Sequence, residues 1–200
     1  SAVNESFGPS IRAVDMKTRV RAVREDDLES LVDDLWLPYA ARVAEHDPGR
    51  EPSPDARERV LARHRGLVTD PGATSLVAVP VGGGFGDGGF GADGYGGADP
   101  VGFATARRDD GRPGFAGPPR AVLEALYVRP SCRRRGVARA LLDAVTEWAG
   151  EAGCGDVVAS VPEGDEAARA CLRACGFGTR ELTFGRESET GTGTGTREAP

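Results

Sequence analysis

Four arginines and one glycine crowd the segment Arg129 to Gly136, which reads Arg-Pro-Ser-Cys-Arg-Arg-Arg-Gly. An apolar run, Ala121 to Val128 (AVLEALYV), precedes it. Val137 to Ala149 follows, with Leu141, Leu142, Val145 and Trp148 on one helical face. A strand therefore ends and a helix begins around this basic turn. The first amides of a helix have no intrahelical acceptor, and the helix dipole adds partial positive charge there. Such a turn suits an anion with many oxygens, such as a diphosphate. Gly136 removes a Cβ where the anion must approach the backbone, and Ala138 keeps the next contact open. The dipole disfavours arginine at a helix start. Three in succession, Arg133, Arg134 and Arg135, point to a bound polyanion.

Glu124 is the second chemical candidate, a lone charge inside the apolar strand. Strand alternation puts Glu124, Leu126 and Val128 on one face unless a bulge intervenes. A carboxylate so placed can take a proton as a general base; paired with one of the many arginines it is a structural ion pair instead. Metal chemistry is not expected. The four cysteines, Cys132, Cys154, Cys171 and Cys175, contain no Cys-x-x-Cys pair, and there are two histidines. They read as free thiols in a reducing cytoplasm, with Cys171 and Cys175 as small core residues one helical turn apart. His46 and His64 read as surface residues of the early helices.

The 200 residues carry 31 acidic and 25 basic groups, net -6, which argues against nucleic acid as the main partner. Lys17 is the one lysine, so the other basic residues are arginine. No apolar run approaches the roughly 20 residues that a membrane span needs. Ser1 to Asp15 lacks the apolar stretch of a secretory signal.

These residues need a scaffold, and the periodicity supplies one. Thr18–Arg24 reads as a strand. Leu28, Leu31, Val32, Leu35 and Trp36 begin a helical stripe that Pro38 kinks or splits and that stops at His46-Asp47-Pro48-Gly49. Ser53-Pro54 opens a second helix ending near Gly66. Ser75–Val81 and Pro100–Ala106 are strands, and 107–119 is a polar loop. After the strand at 121–128 and the helix from Val137 come a strand at 156–161, a helix at 165–174 ended by Gly176, and a last strand at 177–186. The order implies a mixed sheet covered by helices on both faces, mostly antiparallel, with one parallel strand–helix–strand unit. Residues 1–16 read as a flexible extension, 17–187 as one domain, and 188–200 as a disordered tail. Within the domain, 82–99 is a disordered loop, since ten of its first sixteen residues are glycine.

The segment Arg133-Arg134-Arg135-Gly136-Val137-Ala138 resembles the acyl-CoA motif Q/R-x-x-G-x-G/A of the GNAT superfamily of N-acetyltransferases. The strand ALYVRP before it, the helix ARALLDAVTEWAGEAG after it, and CLRACGF at Cys171–Phe177 are similar to the family's flanking elements. The likeness runs roughly from Arg19 to Arg186 and is most specific from Ala121 to Phe177. It implies a GNAT fold of the α/β (α+β) class, whose central strand splays from its neighbour to admit acetyl-CoA. It implies direct attack by a primary amine of a small molecule or protein on the thioester. Leu126, Tyr127 and Val128 would line the pantetheine arm, with a backbone N–H near Val128 for the oxyanion. The amides of Arg133, Arg134, Arg135, Gly136, Val137, Ala138 and Arg139 would hold the diphosphate, and Glu124 would be the general base. The early helices would form the acceptor wall, with Trp36, Tyr39 and His46 as its candidates. Homodimers are common among such proteins. Two positions depart from the pattern. Asp165, counted among the cofactor-binding candidates because it can still cap the helix and accept a hydrogen bond, stands where the family usually has Asn, and Leu172 where it often has the Tyr that protonates the thiolate. An acyl-CoA-binding module without turnover is the alternative that these departures imply.

Overall fold

Two apolar surfaces, one on each side of a sheet, organise the chain. The structure is a computed structural model describing residues 16–81, 99–111, 114, 116–181 and 183. The expectations for the extension, the glycine-rich loop and the tail fall almost wholly outside these residues. Five strands lie in the order β1-β2-β3-β4-β5: β1 Thr18–Ala22, β2 Ala73–Pro80, β3 Gly102–Asp109, β4 Arg120–Val128 and β5 Asp156–Ala159. The first four pair antiparallel in sequence order, and β5 joins β4 in parallel. The mixed sheet expected from the sequence is present.

On one face, α4 (Val137–Glu151) packs Val137, Leu141, Leu142 and Val145 against Leu76, Ala78, Ala104, Ala106 and Leu123. The second helix of that face, α5 (Glu166–Ala174), adds Leu172 and Cys175. On the other face, α1 (Leu28–Leu31), α2 (Leu37–His46) and α3 (Ala56–Thr69) cover Val77, Phe103, Ala125 and Tyr127. Val77 and Ala78 are both fully buried because their strand is covered on both sides.

Several elements differ from expectation for physical reasons. The first helix is neither continuous nor simply kinked. Residues Val32–Trp36 form a π-helical turn closed by Leu37 N–H on Val32 O. The wide turn comes just before Pro38, whose ring would crowd the carbonyl four residues back in a regular helix. α3 starts at Ala56, because Ser53 spends its hydroxyl on the Asp55 carboxylate at 2.6 Å instead of capping the helix. It runs past Gly66 to Thr69, and the space around Gly66 is open. β3 extends through Arg107, Arg108 and Asp109, residues read from sequence as loop, because β4 offers a partner to each. No strand forms over 177–181.

His64 is a further correction. It is 2% exposed, bonded through Nδ1 to Ser75 Oγ at 3.1 Å, and its ring meets Phe103 edge-on at 6.2 Å. Burial, with the Arg63 charge adding, lowers its pKa to about 4. Its folded pKa lies below its unfolded one, so its neutral form contributes stability fully above about pH 6.5. That contribution shrinks as pH falls toward about 4, by on the order of 3 kcal/mol in total. Urea unfolding of the wild type at pH 7 and pH 4.5 should show a loss that His64→Gln lacks. Equal losses in both proteins would contradict a buried neutral imidazole.

Candidate active site

The site is built where β4 outruns its parallel neighbour. The β4–β5 ladder stops at Leu123↔Ala159, and β4 continues to Val128 with no strand on that side among the described residues. A bulge lies at the same level: Ala106 opposes Leu123 and Thr105 opposes Ala125, leaving Glu124 as the extra residue. The bulge reverses the facing of everything after it. Leu123 lies on the α4 side, yet Ala125 and Tyr127 lie on the other side, while Leu126 and Val128 return to the α4 cluster. Glu124 therefore does not share a face with Leu126 and Val128. It points toward α3, where Arg107 Nε donates to its Oε1 at 2.9 Å and Arg63 donates to its Oε2. Sequence gave no sign of these partners, which lie 17 and 61 positions away.

The exposed edge of β4 can be read from its other edge. Arg129 N–H bonds Val101 O at 2.9 Å, so alternation turns the peptide groups of Tyr127 and Ala125 toward β3. Those of Leu126 and Val128 face the gap. Two side chains also reach this edge. The Tyr39 hydroxyl donates to Glu124 O at 3.1 Å, and Arg133 Nε donates to Val128 O at 3.0 Å. Between them stand the Leu126 N–H and C=O and the Val128 N–H. The Arg133 guanidinium also lies 5.5 Å above the Tyr127 ring, a cation–π contact that fixes both residues. Burial pushes the Tyr39 hydroxyl pKa up, aided by Glu124 and opposed by Arg50. Tyr39 therefore keeps its proton.

At the far end of the gap, the basic turn folds as a backbone cradle. Arg134 adopts φ 57° and Gly136 φ 81°, both left-handed. Only Gly136 does so without a Cβ penalty. The first helical bond of α4 runs from Ala140 N–H to Gly136 O. The amides of Val137, Ala138 and Arg139 thus precede the ladder and converge at the dipole's positive end. The side chains divide their work. Val137 is buried in the core, Arg139 donates to Ala174 O at the end of α5, and Arg135 O accepts from Met16 N–H at 3.0 Å. Cys132 is buried beneath the turn. The turn thus offers main-chain donors held from below, which fits a diphosphate.

Asp165 caps α5 through Ala168 N–H at 3.0 Å and accepts from Arg42 on α2 at 3.0 Å, with His46 Nε2 3.9 Å away. Burial opposes its ionisation, but the Ala168 amide and the Arg42 guanidinium outweigh it, so its pKa lies below the usual range. Asp165 accordingly joins α2 to α5. His46 serves this junction, whereas Trp36 and Tyr39 line a cavity between α2 and α3. Leu172 packs into the α4 core. The described residues hold no cluster of three or more His, Cys, Asp or Glu able to bind a metal, and all four cysteines are free.

Residues 83–177 match the model of the Acetyltransferase (GNAT) family. A curated aminoglycoside N(6')-acetyltransferase type 1 from Stenotrophomonas maltophilia is 44% identical over 78 residues, 38% of this chain and 51% of its own length. The chain therefore spans about half the length of that relative. Solved structures agree in fold. AAC(6')-Iy in complex with the bisubstrate analog CoA-S-monomethyl-acetylneamine superposes with TM-score 0.59 at 25% identity, over 86% of this chain and 99% of that one. AAC(6')-Ih from Acinetobacter baumannii gives 0.60 at 21%, over 88% and 100%. The mixed α/β fold is the one that those solved structures share. The chain thus resembles the Acetyltransferase (GNAT) family over just under half its length.

Removing the cap should test the junction. Asp165→Ala should lower stability by about 1–2 kcal/mol, and Asp165→Asn by less, because Asn still caps. Urea unfolding at pH 7 measures both, and a neutral Asp165→Ala would contradict the cap.

Proposed function

We propose that this protein is an acetyl-CoA-dependent N-acetyltransferase that acetylates a primary amine by direct attack. One observation carries the reading: the gap beside β4 joins a main-chain anion cradle at one end to Glu124 and Tyr39 at the other. The path from Val128 to Glu124 is about 13 Å at strand rise, a span suited to an extended pantetheine arm lying as an added strand. The cradle amides of 134–139 take the diphosphate, whereas the Arg133 amide, expected from sequence to share in this, donates to Pro130 O at 3.3 Å. Leu126, flanked by Tyr127 and Val128, pairs with the arm's amides. The Leu126 N–H, the open amide nearest the Tyr39 hydroxyl, faces the developing oxyanion in place of the amide near Val128 expected from sequence, and leaves the Leu126 C=O and Val128 N–H to pair with the arm.

In this reading, Glu124 removes the amine's proton, directly or through water. Its carboxylate has lone pairs left beyond the two arginine bonds. The amine nitrogen bonds the thioester carbon and the C–S bond breaks. The thiolate takes the Tyr39 proton, and the second proton, which the nitrogen loses once the C–N bond has formed, restores the hydroxyl, while the first leaves Glu124 for solvent. Tyr39 thus supplies from α2 what Leu172 cannot supply from α5. The free cysteines favour a reducing, cytoplasmic setting. Among the described residues no helix is long and apolar enough to cross a membrane.

Thiol release from acetyl-CoA across a panel of primary amines tests the proposal. Gly136→Glu should abolish CoA binding through clash and repulsion, and unchanged affinity would sink the cradle. Glu124→Gln and Tyr39→Phe should each lower kcat by about 10²-fold or more with CoA affinity retained. Full CoA binding with no thiol release from any amine would favour the non-catalytic binding module.

A further inference from the structure

The cavity between α2 and α3 has a volume of about 400 Å³. Its walls are Trp36, Tyr39, Ala40, Val43, Ala56 and Val60. Tyr39 belongs to both the cavity and the reaction centre, because its ring lines the one while its hydroxyl bonds β4 at Glu124. An acceptor in this cavity therefore lies against the ring of the proposed proton donor, whose hydroxyl reaches the Glu124 backbone carbonyl.

The charges around it are specific. Arg50, Arg59 and Glu51 are the charged lining residues. Asp47 answers Arg50 at 3.0 Å, and Asp55 faces Arg59 at 3.9 Å. Glu51 is left as the single lining carboxylate. Both guanidiniums and the Ser53 hydroxyl are already paired with aspartates, so a polycation entering here would find Glu51 as the one lining carboxylate left, and its further ammonium groups would lie against Trp36, Val43 and Val60 without gaining partners. One ammonium on an apolar body meets no such cost.

We infer, resting on the acetyltransferase reading, that the acceptor is a small primary monoamine with an apolar body of aromatic size, bound against Trp36 and Tyr39, and not a polycationic aminosugar. The amine end points to Glu124, and the body fills the cavity.

The test compares 2-phenylethylamine and tryptamine with neamine as acceptors at saturating acetyl-CoA. The arylalkylamines should show kcat/KM at least about tenfold above neamine, the discrimination that a buried apolar group typically gives. Trp36→Ala should cost them about tenfold, mainly in KM, with CoA affinity unchanged to report an intact fold. Arg59→Glu changes an exposed rim residue and should raise kcat/KM for neamine severalfold. A preference for neamine, or arylalkylamine KM values indifferent to Trp36→Ala, overturns the inference while leaving the enzyme intact. If no amine releases thiol, calorimetry with the CoA-loaded protein decides. Binding of 2-phenylethylamine that Trp36→Ala weakens supports the site, and no binding overturns it. Failure of the wild type to bind CoA sinks the acetyltransferase reading instead, and the same titration on the CoA-free protein still reads the cavity.

Discussion

The loss of pairing between β4 and β5 after Leu123 is the constraint on which the site depends. Unpaired peptide groups in a sheet interior are costly, and β4 leaves some on that edge from Glu124 to Val128. The chain spends side chains there, with Tyr39 on Glu124 O and Arg133 on Val128 O. It leaves the middle of the edge open. Both capped carbonyls flank the Leu126 peptide groups, so the opening has a defined length and two defined ends. The Glu124 bulge belongs to the same arrangement. It lets one strand send Leu126 and Val128 into the α4 core while turning Glu124 toward the acceptor-side helices.

Much of this was legible in the sequence. The Arg133–Ala138 turn marks itself by composition, and Gly136 takes a left-handed conformation, a second reason for glycine beside the close approach argued from sequence. The apolar stripe of α4 and the parallel β4–α4–β5 unit also follow from periodicity alone. Other features could not be read because they depend on where distant residues meet. Glu124 sits on the α3 side because of a bulge that alternation cannot reveal. Arg63 and Arg107 hold it from other elements, and no spacing links the three. Histidines on a helix of weak apolar pattern read as exposed, yet His64 is buried against Phe103 and Ser75. Residues 107–109 look like loop by composition and become strand because β4 is long enough to pair with them. Tertiary context overrode local preference in each case.

Asp165 shows how a departure from a family pattern can be absorbed. Asp caps a helix as well as Asn does, so α5 keeps its N-terminus. The ionised carboxylate cannot donate a hydrogen bond, which removes it as a donor toward an arm in the gap. It gains Arg42 in exchange. The pair ties α2 to α5 across the opening, and α2 also carries Tyr39. The same substitution that subtracts a donor from one wall thereby fixes the helix that presents a hydroxyl from the other.

The predominance of arginine has a related consequence. Arg57 grips both oxygens of Asp33 at 2.7 Å, joining α3 to the π turn, and Arg129 holds Asp34 at 3.1 Å, joining that turn to the basic bend. Arg21 grips Asp27 with two bonds at the entry to α1. The exposed Arg57–Asp33 and Arg129–Asp34 pairs contribute only about 0–1 kcal/mol each, so they do not explain stability. A planar fork fixes orientation as well as distance, which an ammonium does not. The pairs connect the three pieces that must stay in register: the π turn carrying Trp36, the α3 wall opposite it, and the bend that offers the cradle. A lysine in each place would keep the charge and lose the angle. The π turn and its flanking helices would then be held to the sheet mainly by the packing of Leu31, Val32 and Leu35, which sets how deeply the helices sit but restrains their rotation less than a two-pronged contact does.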